Sequence, residues 1–410
     1  MGMAFSPKEK IMKNSKVPAA LVLCAAFCFA LGAFTPVVAE TIKVGVILPL
    51  TGKLAEFGEI EKKSFLMALG EINAAGGVKG MRIELVIEDT TAKPDVGRSA
   101  IEKLISRNKV SVIGGGYSSS VTWAAVAVAQ KRKVPFLVNT GSADRITEKG
   151  WNYIFRLNPP VSEYPKALAS FLTGVTSVKS VAILYENSLF GQFGSKKFVK
   201  QCKKLGLTVM MRGGYEAGTI DFKPLLVKVK ERNPDLVYMV SYVMDAALLI
   251  RQAKELNLCP KLFVGGAAGF TLPEFQENSG DASEHVFSAT LWTPSVPYPG
   301  AKNYYNKFVK KYNRPTEYHG AEAYAAMYVI ADALKRSDSL TPKDVRDALA
   351  KTDLMTVFGP VKFISYGKKT QQNRLPTFLV QWLNNRLETV WPRNVATARY
   401  VYPLPSWDER

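Results

Sequence analysis

The sequence predicts an α/β fold of two lobes, each built on a parallel sheet. Three observations carry this. Strand and helix signals alternate from Thr41 onward, the alternation breaks at "FRLNPPVSEYP", and a second alternating series then begins. Strands separated by helices of this length form right-handed βαβ units whose sheets are covered on both faces.

The elements follow in order. "TIKVGVILPL" is rich in β-branched residues and reads as a buried strand. "AEFGEIEKKSFLMALGEINAAGG" sets Ile60, Phe65, Leu66, Leu69 and Ile72 at helical spacing and stops at Gly76-Gly77. "MRIELVIEDT", "VSVIGG" and "VPFLVNT" read as strands, separated by the helices "VGRSAIEKLISR" and "SSSVTWAAVAVAQKRK". Beyond the break, the strands "SVAILYE", "TVMMRG", "PDLVYMVS" and "KLFVGG" alternate with helices over Gly194–Leu205, within "DFKPLLVKVKER" and over "DAALLIRQAKEL". The stretch from "VFSATLW" to about Phe358 is mostly helical and includes the apolar "AEAYAAMYVIADAL". "VKFISYG" and "TFLVQWLNNRLETVWP" read as a terminal hairpin turning at Asn384-Asn385.

The amino terminus has the pattern of a secretory signal peptide over residues 1–39. Lys8, Lys10, Lys13 and Lys16 precede an apolar run from Val17 to Phe34, and "TPVVAE" offers a cut after Ala39. Cys24 and Cys28 follow Leu23 and Phe27 rather than the small residue of a lipoprotein signal, so a soluble mature protein is expected. The formal excess is 19 positive charges, but the lysines are spread over helices ("SKKFVKQCKK", "KVKER") rather than gathered into a patch. They read as solvated faces, and no nucleic-acid partner is expected. Cys202 and Cys259 are expected as free, buried thiols. Two histidines, His285 and His319, are too few for a metal site, and no cofactor is expected.

"VIGGGYSSSV" (112–121) runs from a strand through three glycines into three hydroxyls at a helix start. Glycines let a ligand approach the backbone, and the first helical turn favours an anion. A tight turn with Ser118 as an ordinary N-cap is the other reading. Catalytic readings fit less well. The first strand-to-helix turn, "PLTGKLAEFG", spaces its glycines too widely for a dinucleotide fingerprint, and "GGYSSS" is not a nucleophile elbow. The residues therefore point to an exported binding protein with two lobes, not to an enzyme. Open α/β sheets bind ligands beyond the carboxyl ends of their strands, so two facing edges form a cleft.

The ordered set "IKVGVILPLTGKLAEFG", "INAAGGVKGMRIELVIEDT", "VIGGGYSSS", "VPFLVNTGSADRIT", "LFGQFG", "NPDLVYMVSYVMDAALLIRQAKEL" and "LFVGGAAGF" resembles the periplasmic leucine/isoleucine/valine-binding protein family across essentially the whole mature chain. The resemblance implies a type I periplasmic binding protein: two Rossmann-like lobes with parallel sheets, joined by three hinge crossovers and closing on a ligand. Crossings near Leu157, Ala289 and Phe358 would give an amino-terminal lobe of 42–157 and 290–357 and a carboxy-terminal lobe of 158–289 and 358–410. It further implies a periplasmic, monomeric component of an ABC importer that delivers a branched-chain amino acid or related small carboxylate to permease subunits. A sensory ligand-binding module is the alternative.

By motif position, the ligand carboxylate falls to Ser118, the backbone of Thr140, and Ser142, with Tyr117 beside them. Phe57, Phe190 and Tyr242 match aromatic walls of the site. The family's usual acid in the second lobe is replaced by Ala267, and Asn158 stands where an aspartate is common. An ammonium thus lacks two of its usual partners, which leans toward an aromatic or branched acid without an amine. Asp245 opens "DAALLIRQ", where a helix N-cap accounts for it as well as a ligand contact does.

Overall fold

A computed structural model describes residues 1–2 and 40–410. The expected leader, apart from Met1 and Gly2, lies outside these residues. The chain enters through β1 (Thr41–Leu48) and crosses by α1 (Ala55–Ala74) to β2 (Arg82–Asp89). It returns by α2 (Pro94–Ser106) to β3 (Val112–Gly115), then by α3 (Ser119–Arg132) to β4 (Phe136–Val138) and β5 (Ile154–Arg156). β1 pairs in parallel with β2 and β3, β3 with β4, and β4 with β5. β3, β4 and β5 are buried throughout, as expected for strands covered on both faces.

A second series follows: α4 (Pro165–Val175), β6 (Ser180–Glu186), α5 (Leu189–Lys204), β7 (Thr208–Tyr215), α6 (Lys223–Arg232), β8 (Leu236–Val240), α7 (Val243–Glu255), β9 (Leu262–Gly265), α8 (Pro273–Ser279) and β10 (Phe287–Thr290). The helices α9 (Ala301–Tyr312), α10 (Tyr318–Arg336) and α11 (Pro342–Ala350) come next. α10 is buried almost all round and packs along α1 and against β3, so this segment returns to the first lobe.

A short ribbon of β11 (Asp353–Thr356) and β12 (Gly359–Lys362) precedes β13 (Ile364–Tyr366) and β14 (Lys369–Gln372). β14 joins the edge of β5, and the first sheet runs β13-β14-β5-β4-β3-β1-β2. This corrects the expectation for the third crossing. The chain stays with the first lobe through Gln372 rather than leaving near Phe358, and "VKFISYG" is not part of the terminal hairpin. Arg156 explains the pairing, since its buried guanidinium donates to Gln372 Oε1 at 2.6 Å and draws β14 onto β5.

The terminal hairpin is β15 (Phe378–Leu383) and β16 (Arg386–Trp391), completing a second sheet of order β16-β15-β10-β9-β8-β6-β7. Its turn residues Asn384 and Asn385 have φ of 53° and 60°, the left-handed pair that a two-residue hairpin turn requires. Cys202 is buried, but Cys259 is exposed, against the expectation for two buried thiols; both are free. Its segment between α7 and β9 lies at the surface, where Arg410 approaches the Sγ at 3.3 Å.

Candidate functional site

The turn after β3 is shaped by its glycines. Gly115 has φ +97°, and a Cβ there would stand 2.3 Å from the Ile47 carbonyl oxygen. Gly116, at φ +88°, continues the bend, so Tyr117 and Ser119 are delivered to the cleft as α3 begins. The next turn, after β4, brings Thr140 and Ser142 beside them. The second lobe contributes Phe190 from the start of α5, Tyr242 just before α7, and Ala268 after β9. Tyr164, Tyr318 and His319 close the ring around a narrow hollow of ≈ 20 Å³. None of these lining residues is acidic.

Aromatic rings form most of the wall. Phe57 stacks on Tyr117 at 4.6 Å between centroids and meets His319 edge-on at 5.0 Å. Tyr242, from the other lobe, lies 5.6 Å from Phe190 and 6.1 Å from Tyr117. The lobes are shut on one another here. The Ala268 N–H donates to Tyr318 Oη at 2.9 Å, Thr271 donates to Glu317 at 3.1 Å, and Arg314 reaches Glu274 at 2.8 Å.

Polar groups are placed on one side of the hollow. Ser119 Oγ accepts the N–H groups of Ser142 at 3.2 Å and Ala143 at 3.1 Å, fixing the second turn against the first turn of α3. The guanidinium of Arg156 donates to the carbonyls of Gly141 at 3.2 Å and Ala143 at 2.8 Å, and holds that turn from behind. Burial pulls this arginine down to about 10, with the neighbouring Asp144 carboxylate opposing, so it stays charged at neutral pH. The helix start, with its uncommitted N–H groups, favours an anion. Tyr117 Oη and His319 Nε2 are buried without a partner, and both residues line the hollow. His319 is oriented by Glu317, which lies 2.8 Å from its Nδ1 and also accepts its backbone N–H at 3.0 Å.

Of the expected residues, Tyr117, Thr140, Ser142, Phe190 and Tyr242 meet at the hollow. Phe57 stands behind Tyr117, and Ser118 lies one residue aside, next to the Tyr242 hydroxyl. The Thr140 carbonyl accepts from Asn158 at 2.6 Å, while the Thr140 N–H has no acceptor among the described residues. Ala267 is buried with φ +66°, and its neighbour Ala268 faces the hollow instead. Asp245 is not an N-cap. Tyr242 holds that position because Val243 and Met244 are already helical, and no side-chain capping bond forms. Asp245 lies in a separate hollow of ≈ 320 Å³ beyond Tyr242, with Lys53 and Glu186. Burial pushes Asp245 up to about 6 and Glu186 up to about 7, with Lys53 opposing in both cases.

Ser119, Tyr164, Ala268, Tyr318 and His319 are lining residues that the sequence reading missed. The third hydroxyl of "YSSS" and the acid-capped helix start "TEYH" were the available signals.

The profile of the periplasmic binding protein family matches residues 41–386. The chain belongs to this family. Among curated relatives, the Leu/Ile/Val-binding protein homolog 8 of Brucella suis is 29% identical over 381 residues, covering 90% of this chain and 94% of the relative. The branched-chain amino acid transporter substrate-binding protein LivJ from Streptococcus pneumoniae, solved with isoleucine, superposes with a TM-score of 0.79 at 27% identity. That match covers 86% of this chain and all of LivJ. A solute-binding protein from R. palustris, solved with benzoate, shares the fold at a TM-score of 0.76 and 18% identity, over 88% of this chain and 98% of that one. The family places the chain among substrate-binding proteins of transporters, not among enzymes.

Proposed function

We propose that this chain is exported to the periplasm, captures a small hydrophobic carboxylate between its lobes, and delivers it as a monomer to the permease of an ABC importer. One observation carries the ligand class: hydroxyls and N–H groups line one side of a hollow that is otherwise aromatic, with no acidic side chain in the lining. In this reading Ser142, the Thr140 N–H and the first turn of α3 hold the carboxylate. Tyr117, Phe190 and Tyr242 cover the apolar part, with Phe57 supporting them. A cluster of neutral donors holds an anion without burying a counter-charge.

The same lining gives an ammonium no carboxylate to face, and a desolvated ammonium without an anion costs several kcal/mol. An aromatic or branched acid without an amine therefore fits best. A branched-chain amino acid is the second reading, supported by the names of the relatives. A thermal-shift panel separates them, pairing leucine, isoleucine, valine and phenylalanine with their 2-keto counterparts and with arylcarboxylic acids. A ligand at about 100 times its dissociation constant stabilises the fold by about 2.7 kcal/mol. The amine-free acids are expected to shift the midpoint more, and a larger shift with leucine would select the second reading.

A further inference from the structure

Directly behind Thr140, two glutamates converge on its hydroxyl, and neither is paired with a lysine or arginine among the described residues. Glu61, from the middle of α1, and Glu322, from the second turn of α10, are both fully buried. Thr140 Oγ1 stands 2.5 Å from Glu61 Oε1 and 2.9 Å from Glu322 Oε2, and it also accepts from Asn139 Nδ2 at 2.9 Å. Proton counting constrains this arrangement. The threonine hydroxyl owns one hydrogen and can satisfy one carboxylate. The other carboxyl approaches a lone pair, and a bond there requires that it supply the hydrogen. Glu61 Oε2 and Glu322 Oε1 have no partner either, so only the Thr140 hydroxyl and the Asn139 amide favour ionisation, and burial outweighs them.

We propose that Glu61 and Glu322 are both protonated around Thr140, and that these two protons keep the seat of the ligand carboxylate neutral, so that anion capture is lost when the pair ionises. The inference rests on the carboxylate reading of the hollow. On losing one of the two protons to solvent, the pair places a negative charge against the Thr140 side chain, behind its N–H. A like charge at such range disfavours an anion about tenfold or more. The groups that face the pair do not rescue it: Glu317 at the start of α10 adds negative charge, and Tyr117, Tyr164 and Tyr318 are neutral phenols. His319 lies one turn before Glu322, but its ring is committed to Glu317. No lysine or arginine forms an ion pair with either acid among the described residues. Burial, the largest effect on both, pushes Glu61 up to about 8 and raises Glu322 well above the usual carboxylate range. Both are positioning residues, since neither lines the hollow.

The test uses the mature protein and two amine-free probes, benzoate and 4-methyl-2-oxopentanoate, which stay ionised from pH 6 to 9.5. Infrared difference spectra of the unliganded protein against Glu61→Gln and Glu322→Gln should show a protonated carboxyl at pH 7. Calorimetry should show affinity for the better probe falling about tenfold or more between pH 7 and 9.5. The double variant Glu61→Gln/Glu322→Gln, in which neither position can ionise, should bind with a flat profile over that range. Absence of the carboxyl band at pH 7, or a parent affinity that does not change with pH, overturns the proposal. If the band is present but neither probe binds at any pH, the carboxylate reading fails, and this inference falls with it for that separate reason.

Discussion

Ser119 and Ser142 sit one above the other in the cleft, yet they do different work. Ser142 lines the hollow with its hydroxyl beside the Tyr164 phenol, whereas Ser119 Oγ already accepts two backbone N–H groups. Ser142→Ala is therefore expected to weaken binding of the panel's best acid by about 1.5–3 kcal/mol, roughly tenfold or more, with the melting midpoint unchanged. Ser119→Ala strands two buried donors and should lower stability by about 1–3 kcal/mol as well. Calorimetry and a melt on each variant separate the two roles, and equal behaviour would contradict the assignment. At this scale the sequence is informative about chemistry and vague about address. It marks "YSSS" as the anion turn but not which hydroxyl turns inward, because a one-residue change in where α3 begins rotates the next side chain by about 100°. Asp245 shows the same difficulty: α7 starts two residues early, and the acid moves from the cap into a neighbouring hollow.

The elements that sequence periodicity reveals are the long ones. α1 and α10 carry enough turns to display a face, and the Asn384-Asn385 turn carries its own backbone signature. β5 and β13 have three residues each, too few for any period, and the partners of β5 and β14 are more than two hundred residues apart. Their pairing is decided by Arg156, whose fork reaches Gln372, two carbonyls and the Thr147 hydroxyl at once. Lysine cannot reproduce that fork. Arg156→Lys should cost about 3 kcal/mol in urea unfolding, and it should weaken ligand binding too, because the Gly141–Ala143 turn loses its support. A stable variant with unchanged affinity would show that the turn holds itself. α5 was read five residues short for a simpler reason. Its start is set by Ser188, which accepts from the Gly191 N–H, and a lone serine before two glycines gives little warning.

For the whole molecule, the buried acids set the pH of greatest stability. Glu61, Glu186 and Asp245 all titrate higher in the folded state, at about 8, 7 and 6, than in an unfolded chain. The folded protein thus binds more protons between pH 4.5 and 8, and stability contributed by these groups is lost as pH rises through that window. Asp235, held at about 2 by Lys261 and two N–H groups against the cost of burial, acts in the opposite sense, as does Asp144 beside Lys369. Their contribution is present above about pH 4 and is lost below it. Calorimetric melting should therefore peak near pH 5 and fall by pH 8.5, and Glu61→Gln should reduce the alkaline fall. A midpoint higher at pH 8.5 than at pH 5 would contradict this. The two-lobed plan was legible because it is written twice, in two alternating series. The third crossing was not, because a return to the first sheet leaves no mark on local pattern. That return also fixes the order in which the protein can be finished. The first lobe is begun with Thr41, but β5 lacks its neighbour β14 until Gln372 has emerged, so a growing chain carries an open strand edge for most of its length. The lobe made first is completed almost last.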